Sequence, residues 1–130
     1  MQPATRTKRM NSHRDLDIYK LAFELAVRIH RESLKLPKFE LYEQGSQIRR
    51  SSKSVKDQIA EGFGRRRYKA DYIKFLVYSH ASADEALSQL DMLKVLYPEM
   101  PEFQSLSEEY SVLGKKINAY IEYVDNNWRT

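Results

Sequence analysis

Residues 69–97, KADYIKFLVYSHASADEALSQLDMLKVLY, repeat apolar or small side chains in alternating steps of four and three residues. Such spacing lines up one stripe along an α-helix and is typical of coiled-coil-like packing, at a crossing angle near +20°. The stretch therefore predicts a long helix, from about Lys69 to Tyr97. Its buried stripe is expected to contain Tyr72, Leu76, Ser79, Ala83, Ala86, Leu90, Leu93 and Tyr97.

The segment that follows has the same spacing. It predicts a helix from about Pro101 to Asn126, and the short connection at Pro98–Pro101 indicates an antiparallel hairpin with the preceding helix. Trp128 lies one turn beyond the stripe and is expected to close the end of the bundle. The stripe itself is expected to contain Phe103, Leu106, Tyr110, Leu113, Ile117, Tyr120 and Val124.

Two more helices are predicted upstream. The first runs from about Asp15 to Leu36, with Ser12 or Asp15 as its cap and Pro37 as its stop. The second runs from about Glu40 to Glu61 and is expected to end where Gly62 and Gly64 adopt left-handed conformations. With only four glycines, four prolines and no alternating strand pattern, a β-sheet has little support.

These helices predict an all-α fold, an antiparallel up-and-down four-helix bundle that assembles into a ring. Residues 14–130 form the predicted bundle domain, and residues 1–13 are expected to be a flexible basic arm. At 130 residues the chain suits one domain with a modest core.

The first predicted helix has apolar side chains on two opposite sides. One side is expected to face the core: Ile18, Leu21, Ala22, Leu25, Ile29 and Leu36. A helix of an isolated bundle needs a single apolar stripe, so the other stripe is interpreted as an oligomer interface. The alternative is a set of scattered surface apolar residues, which are common. The interface stripe contains Leu16, Phe23, Val27 and Leu34.

Positive charge is concentrated in residues 47–69. This stretch has eight basic and two acidic residues, whereas residues 70–130 have five basic and ten acidic residues. Clustered Lys and Arg neutralise phosphates, and an adjacent Tyr68 could stack on a base, so the stretch predicts a nucleic-acid-binding surface. The alternative is a solvated helix face followed by a polar turn. The candidate binding residues are Arg49, Arg50, Lys53, Lys56, Arg65, Arg66, Arg67, Tyr68 and Lys69.

The two adjacent arginines of this stretch point about 100° apart on a helix. At most one of them can therefore lie squarely on the exposed basic flank. Arg50 is expected to be the paired one, bound to a carboxylate within or across subunits, because its direction is close to that of Asp57 and Glu61.

Two phrases, SQIRRSS at residues 46–52 and IAEGFGRR at residues 59–66, resemble the signature of a bacterial family. These are the four-helix bundle proteins often encoded in intervening sequences of 23S ribosomal RNA genes, and DLDIYKLA at residues 15–22 resembles their usual opening. The resemblance implies a ring-forming protein, in known cases a pentamer, without a settled biochemical role. Similar ring bundles are partners of reverse transcriptases in diversity-generating retroelements, which implies a nucleic-acid enzyme as a partner.

Other functional classes have little support in the sequence. There is no cysteine, and no apolar run approaches the ~20 residues that span a bilayer, so a cytoplasmic protein without a membrane partner is expected. His13, His30 and His80 lack the spacing of metal ligands, and His80 is expected to be hydrogen-bonded in or beside the core. No catalytic residue, metal or cofactor is predicted.

The sequence thus favours a non-enzymatic, homo-oligomeric bundle with a basic surface, an RNA- or rRNA-associated accessory protein that contacts phosphates of RNA or DNA. The alternative is a structural or protein-interaction module with no nucleic-acid role.

Overall fold

The computed structural model describes residues 10–129, which form helices and connecting turns without any strand. Four long helices make up the body: α1 (Asp17–Ser33), α2 (Gln44–Gly64), α3 (Lys69–Leu96) and α4 (Glu102–Asn127). A 3₁₀ turn, His13–Asp15, precedes α1, and a short helix, Lys38–Leu41, lies between α1 and α2. The predicted all-α class is confirmed. Most of the predicted N-terminal arm lies outside the described residues.

The four helices pack in chain order around one core. The main contacts join α1 to α2, α2 to α3, α3 to α4, and α4 back to α1, so that α1 and α3 lie diagonally across the bundle. Neighbouring helices run antiparallel. In α3 and α4, for example, Tyr72 pairs with Tyr120 at one end, while Lys94 contacts Ser107 towards the other.

The predicted stripes of α3 and α4 form the centre of this core. Every member from Tyr72 to Leu93 and from Phe103 to Ile117 is buried. Trp128 closes the bundle end as predicted: its ring centroid lies 5.3 Å from that of Tyr72, and its Nε1 donates to the Arg66 carbonyl.

The start of α1 differs from the prediction. Ser12 and Asp15 form a capping box around the 3₁₀ turn, and α1 begins only after Leu16. Leu16 has an extended backbone, so the helical projection that placed it on the outer stripe does not apply to it. Its side chain is buried in the subunit's own core, and its assignment to an oligomer interface was wrong.

The junctions around α2 also differ from the prediction. The helix continues through Gly62 and Gly64, and neither glycine has a positive φ. Gly62 instead permits close packing with α3, because a Cβ on it would lie 3.1 Å from the Cβ of Phe75. At the other junction, the short helix ends at Leu41 and α2 begins only at Gln44, later than predicted. The buried Glu40 accepts a hydrogen bond from the Tyr97 hydroxyl and one from the Gln44 backbone. The bond to Glu40 raises the pKa of Tyr97.

Candidate nucleic-acid interface

Arg49 and Arg50 exchange the roles predicted for them. Arg49 reaches inward and donates to Ser33 Oγ at 2.9 Å and to the Leu41 carbonyl at 2.8 Å, which ties α2 to the end of α1. Arg50 is exposed, donates to Ser46 Oγ and forms no ion pair within the described residues. The predicted carboxylate partner of Arg50 is therefore not found within the subunit, and a partner on another subunit stays a prediction. Arg49 is engaged in the fold rather than exposed to phosphates.

Lys53 and Lys56 border a groove between α1 and α2, here called the α1–α2 groove. It has a volume of about 390 Å³, and no carboxylate lines it. Its floor and rim consist of Phe23, Ala26, Val27, His30, Arg31, Lys53 and Lys56. The apolar floor is open to solvent, since the Phe23 side chain is 47% exposed. The cations therefore surround an uncovered apolar strip rather than a polar surface.

His30 and Arg31 also line this groove, although neither was predicted as a site residue from the sequence. Both lie close in helical angle to Phe23 and Val27. That periodicity was a usable signal, but the proximity of α1 to Lys53 and Lys56 depends on how the two helices pack. Lys56 Nζ lies 5.8 Å from the Phe23 ring centroid and also pairs with Asp57.

The remaining basic residues lie at the turn between α2 and α3, residues 65–69, here called the arginine turn. Arg65 donates to Glu61, and its guanidinium covers the Phe75 ring with a centroid distance of 4.7 Å. Lys69 Nζ lies 3.6 Å from an Asp125 oxygen, a pair open to solvent. Arg67 and Tyr68 are both exposed, with the Arg67 guanidinium 5.9 Å from the Tyr68 ring centroid.

Arg66 differs from the other arginines of the turn because it is part of the fold. Its guanidinium donates to the Phe63 carbonyl at 2.9 Å and lies 3.9 Å from the centre of the Phe63 ring. Its own carbonyl accepts the hydrogen bond of Trp128. Tyr72 is fully buried, as expected, and Phe75 is partly buried, whereas Tyr68 is 59% exposed.

The outer stripe predicted on α1 is accessible. Phe23 and Leu34 are about half exposed, and Val27 is partly exposed. A second exposed apolar surface, not predicted from the sequence, lies on the outside of α3. The signal was present, because apolar residues of α3 occur on all sides of the helix, a pattern typical of a helix covered all round. Its exposed apolar side chains are Val77, Tyr78, Met92, Val95 and Leu96.

The histidines lie apart from one another. His13 packs edge-on against the Tyr19 ring, His30 lines the α1–α2 groove, and His80 lies beside the core with Nδ1 3.5 Å from an Asp84 oxygen. Within residues 10–129, no three acidic or histidine side chains converge in a way that could hold a metal ion. None of the helices described is both long and apolar enough to cross a membrane.

Comparisons with known proteins agree with this architecture. The family model described as 23S rRNA-intervening sequence protein matches residues 14–119. Among solved structures, the fold is similar to a protein with unknown function from the S23 ribosomal protein family of Bacteroides thetaiotaomicron VPI-5482. The TM-score is 0.66 at 24% identity, and the match covers 80% of this chain and 97% of that chain. No curated protein matches the chain.

Proposed function

Because the chain belongs to the family of 23S rRNA-intervening sequence proteins, we propose that it is a non-enzymatic accessory protein that binds RNA or DNA phosphates as a homo-oligomeric ring. A pentamer is the ring size that we propose. Such a ring repeats its binding surface once per subunit, and a nucleic-acid enzyme is the class of protein partner that it would serve.

One observation carries the proposal: the exposed pair Arg67 and Tyr68 lies beside Arg65 and Lys69 on one turn. The ion pairs of Arg65 and Lys69 are solvent-accessible, and such pairs contribute little stability, so phosphates can compete for both cations. The Tyr68 ring offers a stacking surface of the kind that single-strand binders use. Base edges are not read by this arrangement, so binding should tolerate different sequences.

The α2 cations contribute less than the sequence suggested. Arg49 is hydrogen-bonded within the fold, and Arg50 lies on the side of α2 that faces α3, where it lines a depression with Glu85. The number of phosphate contacts per subunit is therefore small, and avidity across subunits supplies the affinity.

The test is a titration of labelled single-stranded RNA, duplex RNA and DNA across a salt series. If about four to six phosphates are neutralised by the ring, log K should fall with log salt at a slope of roughly −3 to −5. Arg65→Gln with Arg67→Gln should flatten this slope and weaken all sequences alike. Arg66 is left intact, because its contacts hold the turn in place.

Lys115→Gln with Lys116→Gln is the matched control, since it removes the same charge from exposed positions in the middle of α4. Tyr68→Ala should weaken single-stranded binding by about 1–3 kcal/mol for each stacked base lost, and duplex binding much less. No binding at about 50 mM salt, or equal loss in the turn variant and the control, would refute the proposal. The protein-interaction module would then be the function that the exposed apolar faces favour.

A further inference from the structure

The outside of α3 carries an apolar and acidic surface that nothing in the subunit covers. Its stripe repeats small and apolar residues at helical spacing: Val77, Ala81, Ser88, Met92 and Val95. Val77, Met92 and Val95 are 47%, 50% and 72% exposed. Contiguous exposed apolar patches mark interaction surfaces.

Acidic residues flank this stripe. Asp84, Glu85 and Asp91 lie along it, and residues 81–93 contain no basic residue. Asp84 and Asp91 are 66% and 58% exposed, and their intrahelical partners are His80 and Lys94. Glu85 is exposed and has no ion pair among the described residues. Lys74 lies about one turn before Val77, at the end of this side nearest the arginine turn. We refer to residues 77–95 on this side as the outer α3 face.

The α1–α2 groove is complementary to this face in its apolar surface and in its charge. Its floor is apolar, and its rim carries Arg31, Lys53 and Lys56, together with His30. A nucleic-acid backbone would satisfy the cations but would leave the apolar floor uncovered. A helix with an apolar stripe and acidic flanks would cover the floor and neutralise the rim at once.

The positions of the two surfaces determine how copies can pair. Since α1 and α3 lie diagonally across the bundle, the outside of α3 faces away from the α1–α2 groove of the same copy. One copy therefore cannot cover its own groove with its own α3. Two different surfaces that fit each other produce a head-to-tail interface, which propagates into a closed ring or an open chain rather than a two-fold dimer.

We propose that the outer α3 face of one copy packs into the α1–α2 groove of the next copy. The inference deepens the proposed function, on whose oligomeric state it rests, by specifying the contact that builds the oligomer. It also assigns Lys53 and Lys56 to the subunit junction, which leaves the arginine turn as the surface for phosphates.

Two variants test this contact without any nucleic acid. The groove variant, Phe23→Glu with Val27→Glu, keeps the outer α3 face. The α3 variant, Met92→Glu with Val95→Glu, keeps the groove. Each alone should have the 15.4 kDa mass of one subunit by light scattering, and an equimolar mixture should form a complex of twice that mass that grows no further. Wild type should have a multiple of the subunit mass at the same concentration.

Val112→Glu is the matched control, because Val112 is also 47% exposed but lies on α4, and its oligomer should equal that of wild type. Circular dichroism checks that each variant is folded. If a glutamate variant fails to fold, the charge pair replaces it: Lys53→Glu with Lys56→Glu should be monomeric, and mixing it with Asp84→Lys, Glu85→Lys should restore the complex.

A folded variant that keeps the wild-type mass would overturn the inference, as would a mixture that stays at the subunit mass. If the Lys53 and Lys56 charge reversal leaves the oligomer intact but removes nucleic-acid binding, the groove is a polyanion site and the inference is wrong. Failure of the proposed nucleic-acid binding gives a different result. The variants and their mixture would then have the expected masses, while the titrations show no binding.

Discussion

Two buried tyrosines of the core differ in the contacts of their hydroxyl groups. Tyr72 shares a hydrogen bond of 2.8 Å with Tyr120, whereas the Tyr110 hydroxyl is buried without a partner among the described residues. The neighbouring Ser52 hydroxyl donates to the Arg49 carbonyl and keeps lone pairs that can accept, but it lies outside hydrogen-bond geometry with the Tyr110 hydroxyl. Burial raises the pKa of both tyrosines, so both hydroxyls stay neutral at physiological pH.

This difference predicts opposite outcomes for the same substitution. Tyr110→Phe removes an unsatisfied polar atom, so the free energy of unfolding should be unchanged or rise by up to about 1 kcal/mol. Tyr72→Phe leaves the Tyr120 hydroxyl without its partner and should lower the free energy of unfolding by about 1–2 kcal/mol. Urea denaturation measures both. A loss above about 1 kcal/mol for Tyr110→Phe would mean that the hydroxyl has a partner.

At the scale of the element, the last turn of α2 has two glycines with different surroundings. A Cβ on Gly62 would lie 3.1 Å from the Cβ of Phe75 and 3.4 Å from the Tyr72 carbonyl, whereas a Cβ on Gly64 would meet nothing within 4 Å. Both residues have helical backbones with negative φ. The difference in stability between the two alanine variants therefore depends on packing alone.

Gly64→Ala should raise the free energy of unfolding by a few tenths to about 1 kcal/mol, because glycine has more conformational entropy to lose on folding. Gly62→Ala should lower the free energy of unfolding, since the Cβ of Phe75 and the carbonyl of Tyr72 on α3 would have to shift. Thermal unfolding of the two single variants makes the comparison. Equal changes in both would contradict close α2–α3 packing at Gly62.

The outer α3 face belongs to the same scale. The buried stripe of α3 from Tyr72 to Leu93 was predicted correctly, but such a stripe identifies only the side of the helix that faces the subunit's own core. The opposite side became recognisable as a surface once the structure put α3 diagonally across from α1.

At the scale of the whole molecule, Arg28 joins the first long helix to the last. Its guanidinium contacts Glu102, Glu109 and Ser105, which lie 74 to 81 residues away in the chain. The hydrogen bond to Glu109 is the largest cause that raises the pKa of Arg28. The contacts are only partly buried, with the Arg28 side chain 26% exposed, so solvent screening reduces their contribution.

Arg28→Met should lower the free energy of unfolding by about 1–2 kcal/mol, because three partners lose their donor and two carboxylates remain close together. Lys20→Met is the control: it makes the same charge change on an exposed residue of α1 and should cost no more than about 0.5 kcal/mol. Denaturant titration at low and high salt measures both. A salt-independent loss would assign the effect to packing rather than to the ion pairs.

The sequence by itself determined the helical class, the four helices and the buried stripes of α3 and α4. Such features follow from the order of apolar residues within one helix, since the 3.6-residue period places them on one side whatever lies opposite. The all-α class was predicted for this reason, whereas the family was predicted from its resemblance to the phrases at residues 46–52 and 59–66. The subunit number and the nucleic-acid role stay predictions.

Only the tertiary structure decided what each individual side chain meets. Arg49 turns inward because Ser33 and the Leu41 carbonyl lie within its reach, and Leu16 is buried because the 3₁₀ turn delays the start of α1. The α1–α2 groove likewise exists because these two helices pack so that Lys53 and Lys56 of α2 lie beside Phe23 of α1. These partners lie on other elements. Helical periodicity gives the direction in which a side chain points, but it does not identify the atom that the side chain contacts.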